Sequence, residues 1–173
     1  MTIARFKDLC LDAGDPARLG AFWAAVLGRT WEAQDNGEGL LTGPTAQHTI
    51  WVNRVPEAKT VKHRVHLDIY ARDLADLEAL GATIVEPQHG TRTWTVMADP
   101  EGGEFCAFPR PEVPAERLHG LVVDSADPEA QAGGGPGSTG SASPAMTAGL
   151  PWKACPACRS LPWTSFRCPS RRP

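Results

Sequence analysis

Apolar and polar positions alternate, break off and resume along this chain in a pattern laid down twice. From Ala4 to Leu11 the apolar residues fall roughly at every second place, the period of a half-buried strand. Asp15 then stands where a helix N-cap belongs and Pro16 at the first helical position. Leu19, Phe22, Trp23, Val26 and Leu27 recur at helical spacing until Gly28 closes the run. Short strands are predicted over Thr30 to Ala33, Gly39 to Thr42 and His48 to Val55. The sequence then begins again. Arg64 to Tyr70 alternates as a strand, Asp73 caps a second helix carrying Leu74, Leu77 and Leu80 on one face, and Gly81 ends it. Thr83 to Glu86, Thr93 to Ala98 and Glu104 to Phe108 complete the copy. Asp8 precedes Asp15 by seven positions and His66 precedes Asp73 by the same seven, so the halves share a register. The predicted class is α+β, with two tandem βαβββ modules at residues 1–57 and 58–112.

A third start is visible at Leu118. The stretch LHGLVVDSADPEAQA aligns with FKDLCLDAGDPARLG and places Asp127 and Pro128 over Asp15 and Pro16. Residues 113–132 therefore read as the opening of a third module. From Gly133 the pattern collapses into GGGPGSTGSASP, a composition with too few apolar groups to form a core. Gly133 to Gly140, back-translated and read one base earlier, can encode Arg-Trp-Trp-Ala, the counterpart of the aromatic helix at Ala21 to Gly28. Residues 133–173 are accordingly expected to be a disordered tail, the out-of-frame remnant of that third module. A chain ending near residue 112 is expected to fold.

Charge sharpens this division. The net charge is −3, but all 20 acidic residues lie at or before Glu129, while Lys153, Arg159, Arg167, Arg171 and Arg172 follow it. An acidic front part lacks the clustered positive face that phosphate binding needs, which argues against a nucleic-acid partner. No apolar stretch is long enough to span a membrane and no secretory leader pattern opens the chain, so a soluble cytoplasmic protein is expected. Five cysteines without such a leader do not suggest a disulfide framework. The lone CPAC of the tail lacks the second pair that a zinc ribbon requires.

Three segments, DAGDPARLGAFWAAVLGR, KHRVHLDIYARDLADLEALGA and MADPEGGEFCAF, carry a resemblance to the vicinal-oxygen-chelate superfamily, in its glyoxalase-like and bleomycin-resistance-like branch. The resemblance covers nearly all of residues 3 to 111. It implies a half-open barrel built from two βαβββ modules, with a divalent metal held by the first strand of each module and by the last strands. Carried onto this sequence, the first-strand positions are Asp8 and His66. The last-strand position of the second module falls at Cys106, with Glu104 two residues before it on the same face. Its counterpart in the first module falls near Trp51, beside Thr49. The pattern is departed from there, because tryptophan offers no coordinating atom.

Asp8, His66 and Glu104 would supply two oxygens and a nitrogen, a set suited to Zn²⁺, Ni²⁺, Mn²⁺ or Fe²⁺ with places left for a chelating substrate. His66 and Glu104 are the expected catalytic groups. Trp51, Tyr70, Trp94 and Cys106 are expected to line the substrate cleft. Two functions follow. One is metal-assisted lyase or isomerase chemistry on a substrate with adjacent oxygens. The other is metal-free sequestration of an aromatic or cationic compound. The expected partners are a small molecule and a second copy of the chain.

Overall fold

The computed structural model describes residues 6–127 of the 173-residue chain. The expectations for the remnant module from residue 128 onward and for the tail lie outside the described residues.

The first repeat opens with β1 (Leu9–Ala13) and α1 (Pro16–Leu27), followed by β2 (Thr30–Ala33), β3 (Gly39–Thr42) and β4 (Ile50–Arg54). Helix α1 starts where the sequence indicates. The Asp15 carboxylate accepts the N–H of Arg18 at 3.2 Å, Pro16 fills the first position, and Gly28 ends the helix with φ of 66°. The second repeat comprises β5 (Val65–Ala71), α2 (Leu74–Ala79), β6 (Thr83–Glu86), β7 (Thr95–Ala98) and β8 (Glu104–Pro109). Asp73 caps α2 by accepting from the Ala75 N–H at 3.0 Å.

The two repeats have one topology. The first sheet runs β1-β4-β3-β2 with β1 and β4 parallel; the second, read from β5, runs β5-β8-β7-β6 with β5 and β8 parallel. Neither sheet closes on itself, and the α+β, two-module architecture expected from the sequence is the one observed. Strand β1 begins at Leu9, later than the alternation from Ala4 suggested, because its inward positions Leu9, Leu11 and Ala13 stand beside Ile50, Val52 and Arg54 of β4. Among the described residues no helix is long and apolar enough to cross a membrane.

Leu118–Val123, read from the sequence as the opening of a third module, is a ninth strand, β9, antiparallel to β5 on the free edge of the second sheet. The folded body therefore runs past residue 112. Leu118 and Val122 are buried in it, and the Arg117 guanidinium donates to the carbonyls of Ala25 and Val26 near the end of α1.

One core joins the repeats. Leu19, Phe22, Trp23, Val26 and Leu27 of α1 pack with Leu41, Ile50 and Val52 of the first sheet and with Leu67, Ile69, Met97 and Phe105 of the second. Trp23 meets Phe105 edge-on at 5.2 Å between ring centroids. A second tie is polar. The Glu101 carboxylate, in the turn before β8, accepts the N–H groups of Gly14 and Asp15 at 2.8 and 2.7 Å, just ahead of α1. An anion at that helix start also complements the helix dipole.

Candidate functional site

Strand alternation sends Leu67, Ile69, Phe105 and Ala107 into the core, so the residues between them share the opposite face. Parallel register then sets Asp68 against Cys106 and Tyr70 against Phe108. His66, two residues before Asp68, lies on the same face, with its Nε2 3.5 Å from the Asp68 Oδ1. Glu104, two before Cys106, shares that face as well. The imidazole and both carboxylates therefore stand on one side of one sheet.

Among the described residues, His66, Asp68 and Cys106 form the group able to share an ion, their donor atoms all lying within 4.8 Å of one another. Each is at least largely buried; the side chains of His66 and Asp68 are both 11% exposed. Burial holds the His66 imidazole below its ordinary value of 6.5, against the upward pull of Asp124, so the neutral, lone-pair form is favoured near pH 7. A nitrogen, an oxygen and a sulfur at this spacing fit a divalent ion of the zinc type. The thiol shifts that fit away from Mn²⁺.

Glu104 stands apart from this group. Its carboxylate accepts from the Lys59 ammonium at 3.0 Å and from the His63 N–H at 3.1 Å. Burial alone would raise its pKa, but these two donors outweigh it and hold the carboxyl below its ordinary value, so it is ionised. Lys59, His63, His66 and Glu104 line a cavity of about 350 Å³ that reaches Cys10 of β1 and Trp23 of α1. His66 belongs both to this cavity and to the donor group.

The remaining sequence candidates divide between the sheets. Asp8 and Trp51 lie in the first repeat, bound to each other by an indole N–H to Oδ2 contact of 3.1 Å, and Asp8 also pairs with Lys7. Tyr70 of β5 and Trp94, just ahead of β7, lie on the face of the second sheet that carries His66. Phe108 and His119 join them into a row, with centroid separations of 5.6 Å from Trp94 to Phe108, 5.2 Å from Phe108 to His119 and 4.5 Å from His119 to Tyr70.

Asp68 was not singled out from the sequence. Its signal was present, since HLDIY places it two residues after His66 and hence on the same strand face. The missing information was its partner, because only the β5–β8 register brings Asp68 beside Cys106.

Residues 8–108 match the family model described as a glyoxalase-like domain. A search of curated proteins finds no match. Among solved structures, glyoxalase I from Zea mays is 15% identical with a TM-score of 0.57, over 75% of this chain and 52% of the maize chain. This chain thus spans about half of that enzyme. A glyoxalase/bleomycin resistance protein/dioxygenase family enzyme from Burkholderia phytofirmans PsJN is 18% identical with a TM-score of 0.48, over 60% of this chain and 97% of the other. At such identities these likenesses concern the fold alone.

Proposed function

The chain belongs to the family of glyoxalase-like domains, and from that premise we propose that it performs metal-assisted lyase or isomerase chemistry on a small molecule with adjacent oxygens. His66, Asp68 and Cys106 would hold the divalent ion. The observation that carries this reading is the convergence of their three donor atoms within 4.8 Å on one sheet face. The expected set of Asp8, His66 and Glu104 is thereby revised to one drawn wholly from the second repeat. When bound, such an ion supplies Lewis acidity to the substrate oxygens.

The chain's own residues do the rest. Neutral His66 would offer a ring nitrogen, and the Asp68 carboxylate and Cys106 sulfur would balance the ion's charge. Glu104, on the same face and ionised, is the group to accept a proton from substrate. Lys59 keeps it ionised, while lowering its basicity. Zinc, nickel, manganese and iron titrated into chelator-treated protein test the proposal. One equivalent should bind and be lost on His66→Ala; a folded wild-type protein that takes up none of the four sinks it.

The aromatic row of Trp94, Phe108, His119 and Tyr70 favours a second reading, metal-free sequestration of an aromatic compound. That reading predicts ligand binding that is indifferent to chelator. We also propose a second copy of the chain as partner, supported by the exposed Leu80 at the end of α2 and Ile84 and Val85 of the edge strand β6. Sedimentation at increasing concentration checks it, and a monomer throughout removes it.

A further inference from the structure

The face that carries the donor group is ordered in successive rungs. Asp68 and Cys106 form one rung across β5 and β8, and Tyr70 and Phe108 form the next. Two residues of strand separate rungs by about 7 Å along the sheet. The second rung is aromatic across its width, since Trp94 flanks Phe108 on one side and His119 flanks Tyr70 on the other. All four of these residues are half-buried, leaving part of each ring uncovered.

Over the aromatic rung stand two guanidinium groups. Arg92 lies over the Trp94 ring at 5.2 Å and Arg110 over the Tyr70 ring at 5.6 Å. They differ in what neutralises them. Arg92 is paired with Glu86 at 2.9 Å, whereas Arg110 is exposed and, among the described residues, its guanidinium donates only to the neighbouring Pro109 carbonyl. The charge of Arg110 is therefore available to an anion lying on the ring shelf.

We propose that the ligand of this face is a planar aromatic carboxylate: its ring stacks on Phe108, its carboxylate meets the Arg110 guanidinium over Tyr70, and its opposite edge points at His66, Asp68 and Cys106. This deepens the reading above by naming the substrate class, and it is separable from it. A saturated ring of equal bulk would lose the stacking, and an uncharged ring would lose the arginine. The spacing of one rung suits a single six-membered ring.

Calorimetric titration of the full chain with benzoate, phenol and cyclohexanecarboxylate tests this, first after chelator treatment and then with zinc. Benzoate should bind chelator-treated protein, with phenol and cyclohexanecarboxylate each weaker by about tenfold, the worth of one charge-assisted or stacking contact. Arg110→Gln, at an exposed position, should weaken benzoate by about tenfold while leaving phenol unchanged. Phe108→Leu should weaken benzoate and phenol together, with circular dichroism reporting that the fold is kept. Benzoate and cyclohexanecarboxylate binding equally, benzoate indifferent to Arg110→Gln, or no benzoate binding to folded protein each overturns the proposal. Benzoate binding retained in protein that takes up no zinc supports it and overturns the metal reading alone. Adding 3,4-dihydroxybenzoate with zinc separates them further, since a gain on zinc addition that Asp68→Asn abolishes requires both.

Discussion

Asp68 and Cys106 face each other across the parallel pair β5 and β8, and the same rung of the first sheet holds Cys10 and Trp51. Identical topology thus carries different chemistry in its two copies. In the second repeat the rung adds an oxygen and a sulfur to the nitrogen of His66. In the first, the position of Cys106 is taken by an indole, whose N–H donates to Asp8 at 3.1 Å. Trp51 thereby turns a would-be ligand carboxylate into a hydrogen-bond acceptor. The donor set is gathered on one sheet and is not shared between two.

If the ion is held as proposed, the first repeat should be alterable without loss of metal, while the second should not. Asp68→Asn should weaken zinc binding by at least about a hundredfold, since even groups that merely orient a ligand are worth about 10–100-fold. Asp8→Asn should leave binding unchanged. With cobalt in place of zinc, wild type should show a sulfur-to-metal charge-transfer band that Cys106→Ser abolishes. Equal sensitivity to Asp8→Asn and Asp68→Asn would contradict the one-sheet assignment.

Gly20, inside α1, is occupied space rather than a weak helix residue. A Cβ built there would meet Trp31 ring carbons at 2.3 Å, and one at Gly39 would meet the same ring at 2.3 Å from another side. The indole is clamped between two glycines. Gly20→Ala should therefore destabilise by about 1–3 kcal/mol through overpacking, outweighing the gain of up to about 1 kcal/mol that alanine brings to a helix interior. Trp31→Leu in the same chain should recover part of the loss. Chemical denaturation of the two single variants and the double variant measures this, and a stabilised Gly20→Ala protein would refute the clamp.

What the sequence disclosed and what it hid divide by range. Caps are local, so Asp15, Gly28 and Asp73 marked the helices correctly, and the seven-residue register from Asp8 and His66 to the caps exposed the duplication. Strand alternation put His66 and Glu104 on one face for the same reason. The rest depends on long-range register. Asp68 acquires its meaning only from Cys106, 38 positions away in the parallel pair, and Glu104 is engaged by Lys59 from the inter-module stretch, whose path no periodicity predicts. Strand β9 aligned with β1 in sequence but is antiparallel to β5, a pairing that similarity to β1 could not reveal. The aromatic candidates were separated likewise. Trp94 and Tyr70 share a face through Phe108 and His119, while Trp51 belongs to the other sheet.

Asp99, in the turn before β8, gives the fold a defined acid dependence. Its carboxylate accepts the N–H groups of Glu101 and Gly103 at 2.9 and 2.8 Å and also bonds the Trp23 side chain, yet burial outweighs these donors and raises its pKa above the ordinary 3.8. The folded chain then holds a proton that the unfolded chain has released. Stability from this group is complete below pH 3.8 and is lost as pH rises through the raised value. Asp99→Asn, which cannot titrate, should flatten that segment of the stability profile. Urea denaturation at intervals from acid to neutral pH reads the effect directly: the difference between wild type and variant should change only within this window, and parallel profiles would show that Asp99 titrates alike in both states.

Ending the chain after residue 112 should cost the second sheet its edge. Strand β9 covers β5 along its length, with Leu118 and Val122 buried, and each such side chain is worth about 1.5–3 kcal/mol on burial. The backbone loses the bonds from Tyr70 to Arg117 at 2.8 Å and from Asp124 to Arg64 at 2.7 Å. Helix α1 loses Arg117, whose positive charge sits against its C-terminal carbonyls, where the helix dipole favours a cation. These losses rival the whole stability of a small domain, commonly about 5–15 kcal/mol, and they bare the donors and acceptors of β5 to any other strand. A chain ending at residue 112 is therefore expected to unfold without a cooperative transition or to associate through β5. One ending at residue 127 should keep the transition of the full chain. Thermal unfolding and light scattering on the two truncations decide the matter: if the shorter one melts cooperatively as a monomer at an unchanged midpoint, β9 is an appendage and the folding unit closes at β8.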